Sequence, residues 1–243
     1  MIVDFKRIKR QNKIFPQFGN LIWDNNVYRG ILLKNTINIL FPKINKPVGL
    51  NIFNQFYPSE TQHSVILGEL LSPNGKHNMG NMFLDLFFKN VIEDIPFNNN
   101  ETWFVTVEIE RYDIKIRNLD NSTIIILENK SNNARDRANQ LYRYWYNGIY
   151  KIQNNLNLNI NKYAKILYIS PKYIKQPDEQ TKSPPLELLD KKLFIPKDLI
   201  KIVYFHEHID KWLEKCLNIV EHKSDIYYYL KQYKDFWRYF YVV

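Results

Sequence analysis

The chain is predicted to form an α/β fold, a mixed central β-sheet flanked by helices, and three observations predict it. Two apolar runs within residues 104–128 are separated by Asn118-Leu119-Asp120-Asn121-Ser122, a turn-rich link that reads as a hairpin. The second run, Thr-Ile-Ile-Ile-Leu at residues 123–127, is apolar on both faces, as expected of a central strand covered on each side. A further strand over residues 163–169 is reached through a helical pattern, the kind of crossover that sets two strands parallel. Hairpin and crossover in one sheet make it mixed.

Taken in order, residues 1–54 are basic and Asn-rich, with apolar stretches of no clear period. They are read as an accessory segment packed on the core or as a contact surface for a partner protein or a second copy, ahead of a domain spanning residues 55–243. Pro58-Ser59-Glu60 announces a helix: Ser59 can cap it, and Glu60 in its first turn suits the positive end of the dipole. At about 100° per residue, Glu60, His63 or Ser64, Leu67 and Leu71 share the inward face, and Glu69 turns away. His63 and Ser64 are adjacent and no Gly-x-Ser-x-Gly elbow is present, which argues against a serine hydrolase and for packing and hydrogen-bonding roles. Residues 81–91 form a second amphipathic helix with Phe83, Leu84, Phe87 and Phe88 inward.

After the hairpin, Asn132-Asn133 reads as the N-cap of a helix over residues 134–151 that sets Gln140 and Tyr144 on one face, at i and i+4. Residues 176–185, with Pro177, Pro184 and Pro185, read as a long, polar, mobile loop. Residues 201–205 form a strand and residues 209–220 a helix. His206 and His208 could share a strand face, but a zinc site needs three or four ligands and no partner is evident. Residues 225–243 form a helix whose stripe of Ile226, Tyr229, Leu230, Tyr233, Trp237 and Phe240 is core. Tyr227, Tyr228, Lys231, Lys234 and Arg238 lie elsewhere on it, on a face that could stack on bases.

At 243 residues and 45% hydrophobic content the chain suits one globular body. Its 34 Lys plus Arg against 25 Asp plus Glu give +9, which fits an anionic partner such as nucleic acid and disfavours an acidic one. The lone Cys216 forms no internal disulfide, the opening MIVDFKRIKRQNK lacks the apolar centre of a signal peptide, and the apolar runs are too short to span a bilayer. A reducing cytoplasm and no membrane are expected.

The chemistry converges on the hairpin. If Asp120-Asn121 is a two-residue turn, Arg117 pairs with Ile124 and Asp113 falls opposite Glu128. Lys130 shares the face of Glu128, and Asn129 points to the other side. Two carboxylates on one face repel each other, and a divalent cation such as Mg²⁺, which prefers hard oxygen ligands, relieves them. Such an ion lowers the pKa of a bound water and neutralises charge on a phosphate, and Lys130 beside it can orient that water or hold the phosphate.

Asp113, then Glu128-Asn129-Lys130, then Gln140-Leu141-Tyr142-Arg143-Tyr144 resembles the PD-(D/E)XK nuclease superfamily, including the Q-x-x-x-Y element of its RecB-like members. Upstream, residues 60–73 (ETQHSVILGELLSP) resemble the E-x-x-H-S-x-x-L-A-x-L-L-x-P helix of bacterial proteins in that superfamily, and residues 75–84, 166–171 and 212–216 continue the pattern. The likeness covers about residues 55–235. It implies a restriction-endonuclease-like core and a metal-dependent nuclease, with DNA favoured over RNA and antiphage defence or restriction as its setting. It further implies Mg²⁺ or Mn²⁺ on Asp113, Glu128 and the backbone carbonyl of Asn129, with Glu60 acting directly or through water. Lys130 would position the attacking water, and Gln140 with Tyr144 would support the site or the phosphate strand. The alternative is a nucleic-acid-binding or effector protein on the same fold with its chemistry dormant.

Overall fold

A computed structural model describes residues 50–171 and 175–241, with side chains as far as Arg238. The readings of residues 1–49 and of the Phe240 side chain lie outside these residues. Helices α1 (Phe53–Phe56), α2 (Glu60–Leu71) and α3 (Met82–Phe87) precede strands β1 (Trp103–Ile109), β2 (Tyr112–Asn118) and β3 (Thr123–Asn129). Helices α4 (Gln140–Trp145) and α5 (Lys151–Asn155) lead to β4 (Tyr163–Ser170), followed by α6 (Glu179–Lys182), β5 (Ile200–Tyr204), α7 (Asp210–Leu217) and α8 (Asp225–Tyr241). Among the described residues the strands form one five-stranded sheet in the order β1-β2-β3-β4-β5. The first three strands are antiparallel, and β3, β4 and β5 are parallel. This is the mixed, helix-flanked α/β sheet that the sequence predicts.

The alternating side chains of β3 feed two cores. Ile125 and Leu127 pack with Leu167 and Ile169 of β4 against the face that holds α2, α3, α7 and α8. Ile124 and Ile126 pack with Ile166 and Tyr168 against the face that holds α4. Every residue of β3 is buried, as its unbroken apolar run requires. The α2 helix lies close on β1. A Cβ on Gly68 would fall 2.1 Å from Val107 Cγ2, which explains glycine where the resembling motif has alanine.

Ser59 caps α2 in a full capping box with Gln62, and the buried face is His63, Ser64, Leu67, Gly68, Leu70 and Leu71. His63 shares a hydrogen bond with the Tyr233 hydroxyl at 3.0 Å and sits 4.5 Å from the Trp237 ring, so it is a core histidine. Burial pushes it down to about 3 from 6.5. Its folded pKa is therefore below its unfolded one, and the stability it contributes is present above pH 6.5 and lost as pH falls toward 3. Near pH 4.5 the loss should be about 3 kcal/mol, and it should be absent from His63→Phe when the two proteins are compared by chemical denaturation at pH 7 and 4.5.

Four expectations are corrected. The first apolar run is two strands, because the chain reverses at Glu110-Arg111, both at positive φ (56° and 70°). Residues with Cβ seldom take that turn, so the sequence carries no signal for it. The helix expected over residues 134–151 begins at Gln140, after Asn139 in the left-handed region, and continues through the π-helical turn Tyr146–Tyr150 into α5. Residues 176–185 contain α6, capped by Asp178, and α4 docks on it through Asn139 N–H to the Gln180 carbonyl and Leu141 N–H to Thr181 Oγ1. His206 and His208 lie on the π-helical turn Phe205–Ile209 rather than on a strand.

The α8 stripe buries Leu230, Tyr233 and Trp237 as expected, and Phe236 with them. Lys234 is buried too, paired with Glu214, and Arg238 grips Asp210, so these two cations are committed to α7 rather than to an open face. No helix of the described residues is long and apolar enough to cross a membrane.

Candidate active site

The β2–β3 register pairs Arg117 with Ile124 and Ile114 with Leu127, and one more step sets Asp113 opposite Glu128. Both carboxylates project from the α4 side of the sheet, at the end of β3. Asp113 Oδ2 accepts the Asn129 N–H at 2.6 Å. Burial and then the charge of Glu128 hold Asp113 well above the ordinary carboxylate range, at about 7. Burial likewise raises Glu128, against the pull of Lys130 and a hydrogen bond from Tyr144.

Lys130 Nζ stands 2.6 Å from Glu128 Oε1, with both side chains almost wholly buried. The other oxygen, Oε2, accepts from Gln140 Nε2 at 3.1 Å, and Gln140 Nε2 also reaches the Tyr144 hydroxyl at 2.9 Å. Although α4 starts six residues later than expected, its i, i+4 pair meets the strand end as its spacing allows. Burial and the neighbouring carboxylates raise Tyr144, so its hydroxyl keeps its proton.

Asn129 points to the opposite face. Its side-chain amide donates to the Glu60 carbonyl at 2.9 Å and to Ser64 Oγ at 3.1 Å, so α2 is locked to the end of β3. Glu60 Oε1 accepts the N–H groups of Asn132 (3.0 Å) and Ala134 (3.1 Å), fixing the segment that leaves the site. Glu69, on another side of α2, accepts the Lys76 N–H instead. The structure thus brings Asp113, Glu128, Lys130, Gln140 and Tyr144 together. It connects Glu60 to them through Asn129 and the backbone of residues 132–134.

One residue escaped sequence reasoning. Asp136 lies 3.9 Å from Lys130 and 3.7 Å from Lys175, and accepts from the Tyr168 hydroxyl at 2.8 Å. In a helix starting at residue 134 it would be an ordinary first-turn acid, and that reading hid it. The signal is in the register: Tyr168 is the β4 neighbour of Glu128 and faces the same side.

A divalent cation fits the donor set. Three carboxylates, Asp113, Glu128 and Asp136, face two ammonium groups, Lys130 and Lys175, so with all three ionised negative charge is in excess in a largely buried place, and a bound cation would offset it. Gln140 Oε1 is buried with no hydrogen-bond partner among the described residues. Among the described residues no group of three or more His, Cys, Asp or Glu side chains forms a cage for a metal. Mg²⁺ tolerates this, because it commonly binds through one or two carboxylates and keeps several waters.

No curated relative and no solved structure matches the chain. The family model described as the PD-(D/E)XK nuclease superfamily matches residues 50–235, a span that holds all of α2, the sheet and every site residue named above. With most of its length accounted for in this way, the chain belongs to the PD-(D/E)XK nuclease superfamily.

Proposed function

We propose that this protein is a metal-dependent nuclease that hydrolyses phosphodiester bonds, with DNA favoured over RNA as substrate and bacterial antiphage defence or restriction as its setting. The observation that carries the reading is the pair of opposed, largely buried carboxylates, Asp113 and Glu128, with the Lys130 ammonium 2.6 Å from one of them. The substrate class and the setting follow the habits of the superfamily. Asp113, Glu128 and the Asn129 carbonyl would hold Mg²⁺ or Mn²⁺, and Glu60 would act on it directly or through water. When bound, that ion would supply a Lewis acid for the scissile phosphate and an acidified water.

The chain's own groups do the rest. Gln140 and Tyr144 fix the Glu128 carboxylate with hydrogen bonds, so it pays no reorganisation in the transition state. Lys130 donates toward the attacking water or the phosphate, where charge develops. Tyr144, kept protonated, remains a donor throughout.

The test is cleavage of duplex and single-stranded DNA and of RNA by the purified protein, with Mg²⁺ or Mn²⁺ and with excess EDTA. Cation-dependent cleavage is expected. Cleavage in EDTA would overturn the mechanism, and salt-sensitive binding without cleavage would favour the dormant alternative. Binding should weaken steeply with salt, with a log–log slope of about −0.9 per phosphate contacted on duplex and about −0.7 on single strands. A salt-independent affinity would point to a protein partner.

Glu60 and Glu69 give an internal comparison on one helix. Glu60→Ala frees the backbone of residues 132–134 and should lower kcat roughly 100-fold, since small misplacements of catalytic groups cost that much. Glu69→Gln should leave kcat within about twofold, because it disturbs only a remote surface turn. The reverse ranking in steady-state kinetics would remove Glu60 from the site.

A further inference from the structure

Asp136 is anchored more firmly than its chain position suggests. Its side chain is 3% exposed, although Arg135 and Arg137 on either side lie in solvent. Oδ1 accepts from the Tyr168 hydroxyl at 2.8 Å, and Oδ2 accepts the Asp178 N–H at 3.1 Å. Lys175, 3.7 Å away, supplies countercharge. The carboxylate is thus fixed from β4 and from the segment entering α6, independently of Lys130.

Lys130 lies between two acids, 2.6 Å from Glu128 and 3.9 Å from Asp136. The nearer acid is the one assigned above to the divalent cation. An ammonium and a divalent cation on one carboxylate repel each other, and a buried ammonium expelled without a new partner is penalised as the remaining half of a broken buried ion pair is. Asp136 removes that cost, because moving the ammonium by roughly 1 Å converts the longer contact into a hydrogen bond.

We propose that Asp136 is a positioning residue, the second seat of the Lys130 ammonium, which it takes over once Glu128 is engaged by a divalent cation. The proposal rests on the reading of Asp113 and Glu128 as the cation site. Tyr168 and Asp178 hold Asp136 in place through the exchange, so the lysine stays beside the reacting phosphate instead of turning to solvent.

The experiment is calorimetric titration of Mn²⁺, without nucleic acid, into the full chain and into Asp136→Asn, Lys130→Met and the double variant. Asp136→Asn should weaken Mn²⁺ binding about tenfold, because the displaced ammonium has no second carboxylate. In the Lys130→Met background there is no ammonium to rehouse, and the same change should matter by about twofold or less. Lys130→Met alone should bind Mn²⁺ more tightly than the parent. Tyr168→Phe, which only loosens Asp136, should repeat the pattern at smaller size and covers the case in which Asp136→Asn misfolds. Equal losses in both backgrounds, or an unchanged affinity in Asp136→Asn, would overturn the proposal while leaving the cation site standing. A parent protein that binds no Mn²⁺ would overturn the cation-site reading and this proposal with it.

Discussion

Asp113→Asn is expected to lower kcat by about 10³-fold or more, the scale on which a site loses a group that stabilises developing charge, while making the cation-free protein more stable at pH 8. The two effects share one cause. Asp113 and Glu128 are pressed together in a largely buried place, and its folded pKa of about 7 is above the ordinary 3.8. A raised folded pKa means that the stability it contributes is fully present below 3.8 and is lost as pH rises through about 7. Asparagine carries no charge and can still accept the Asn129 N–H, so it avoids that loss. In EDTA the melting temperature of Asp113→Asn should exceed that of the parent at pH 8 and match it near pH 4. Glu128→Gln should lose cleavage equally. Full cleavage by either variant would remove the carboxylate pair from the chemistry, and a less stable Asp113→Asn at pH 8 would deny the repulsion.

Lys130→Met is expected to lower kcat about 10²- to 10³-fold while weakening nucleic-acid binding only severalfold. The ammonium is one positive charge among many on a chain of net +9, so it adds at most about one phosphate contact to the salt slope. Its effect belongs to the transition state, where water or phosphate must be held in register. The substitution should also destabilise the cation-free fold by roughly 3 kcal/mol, because it leaves Glu128 buried without its ion-pair partner. Added Mg²⁺ should recover most of that loss. Kinetics with a matched binding series and melts with and without cation check both parts. A Lys130→Met protein that cuts normally would reduce Glu128 and Lys130 to a structural ion pair.

Much of this architecture was legible because strand periodicity is local. The apolar run of residues 123–127 announced a strand buried on both faces, and counting outward from Asp120-Asn121 gave the register in which Arg117 meets Ile124. The chain nonetheless turns one residue earlier than a two-residue Asp120-Asn121 turn would, with the Asn121 N–H on the Asn118 carbonyl and β3 starting at Thr123. From that register the opposition of Asp113 and Glu128 follows by counting, since cross-strand neighbours share a face. The i, i+4 spacing of Gln140 and Tyr144 was equally local, and it survived a wrong helix start because both residues lie inside α4.

What only the tertiary structure decided lies in residues 131–139. By local propensity residues 134–139 open a helix behind an Asn132-Asn133 cap, but several backbone N–H groups of this stretch and the buried Asp136 side chain find distant partners. Glu60 takes two N–H groups, Gln180 takes that of Asn139, and Tyr168, Lys175 and Lys130 converge on Asp136. Such bonds form only once α2, β4 and α6 are already in place, so no window of sequence contains them. The chain by itself determined β3, its two faces and, through the hairpin register, the carboxylate pair, because each follows from local alternation, whereas the reversal at Glu110-Arg111 that parts β1 from β2 left no local signal. Which acid stands behind Lys130 depended on packing across the sheet, because a buried charge is settled by whatever the fold brings within hydrogen-bond reach.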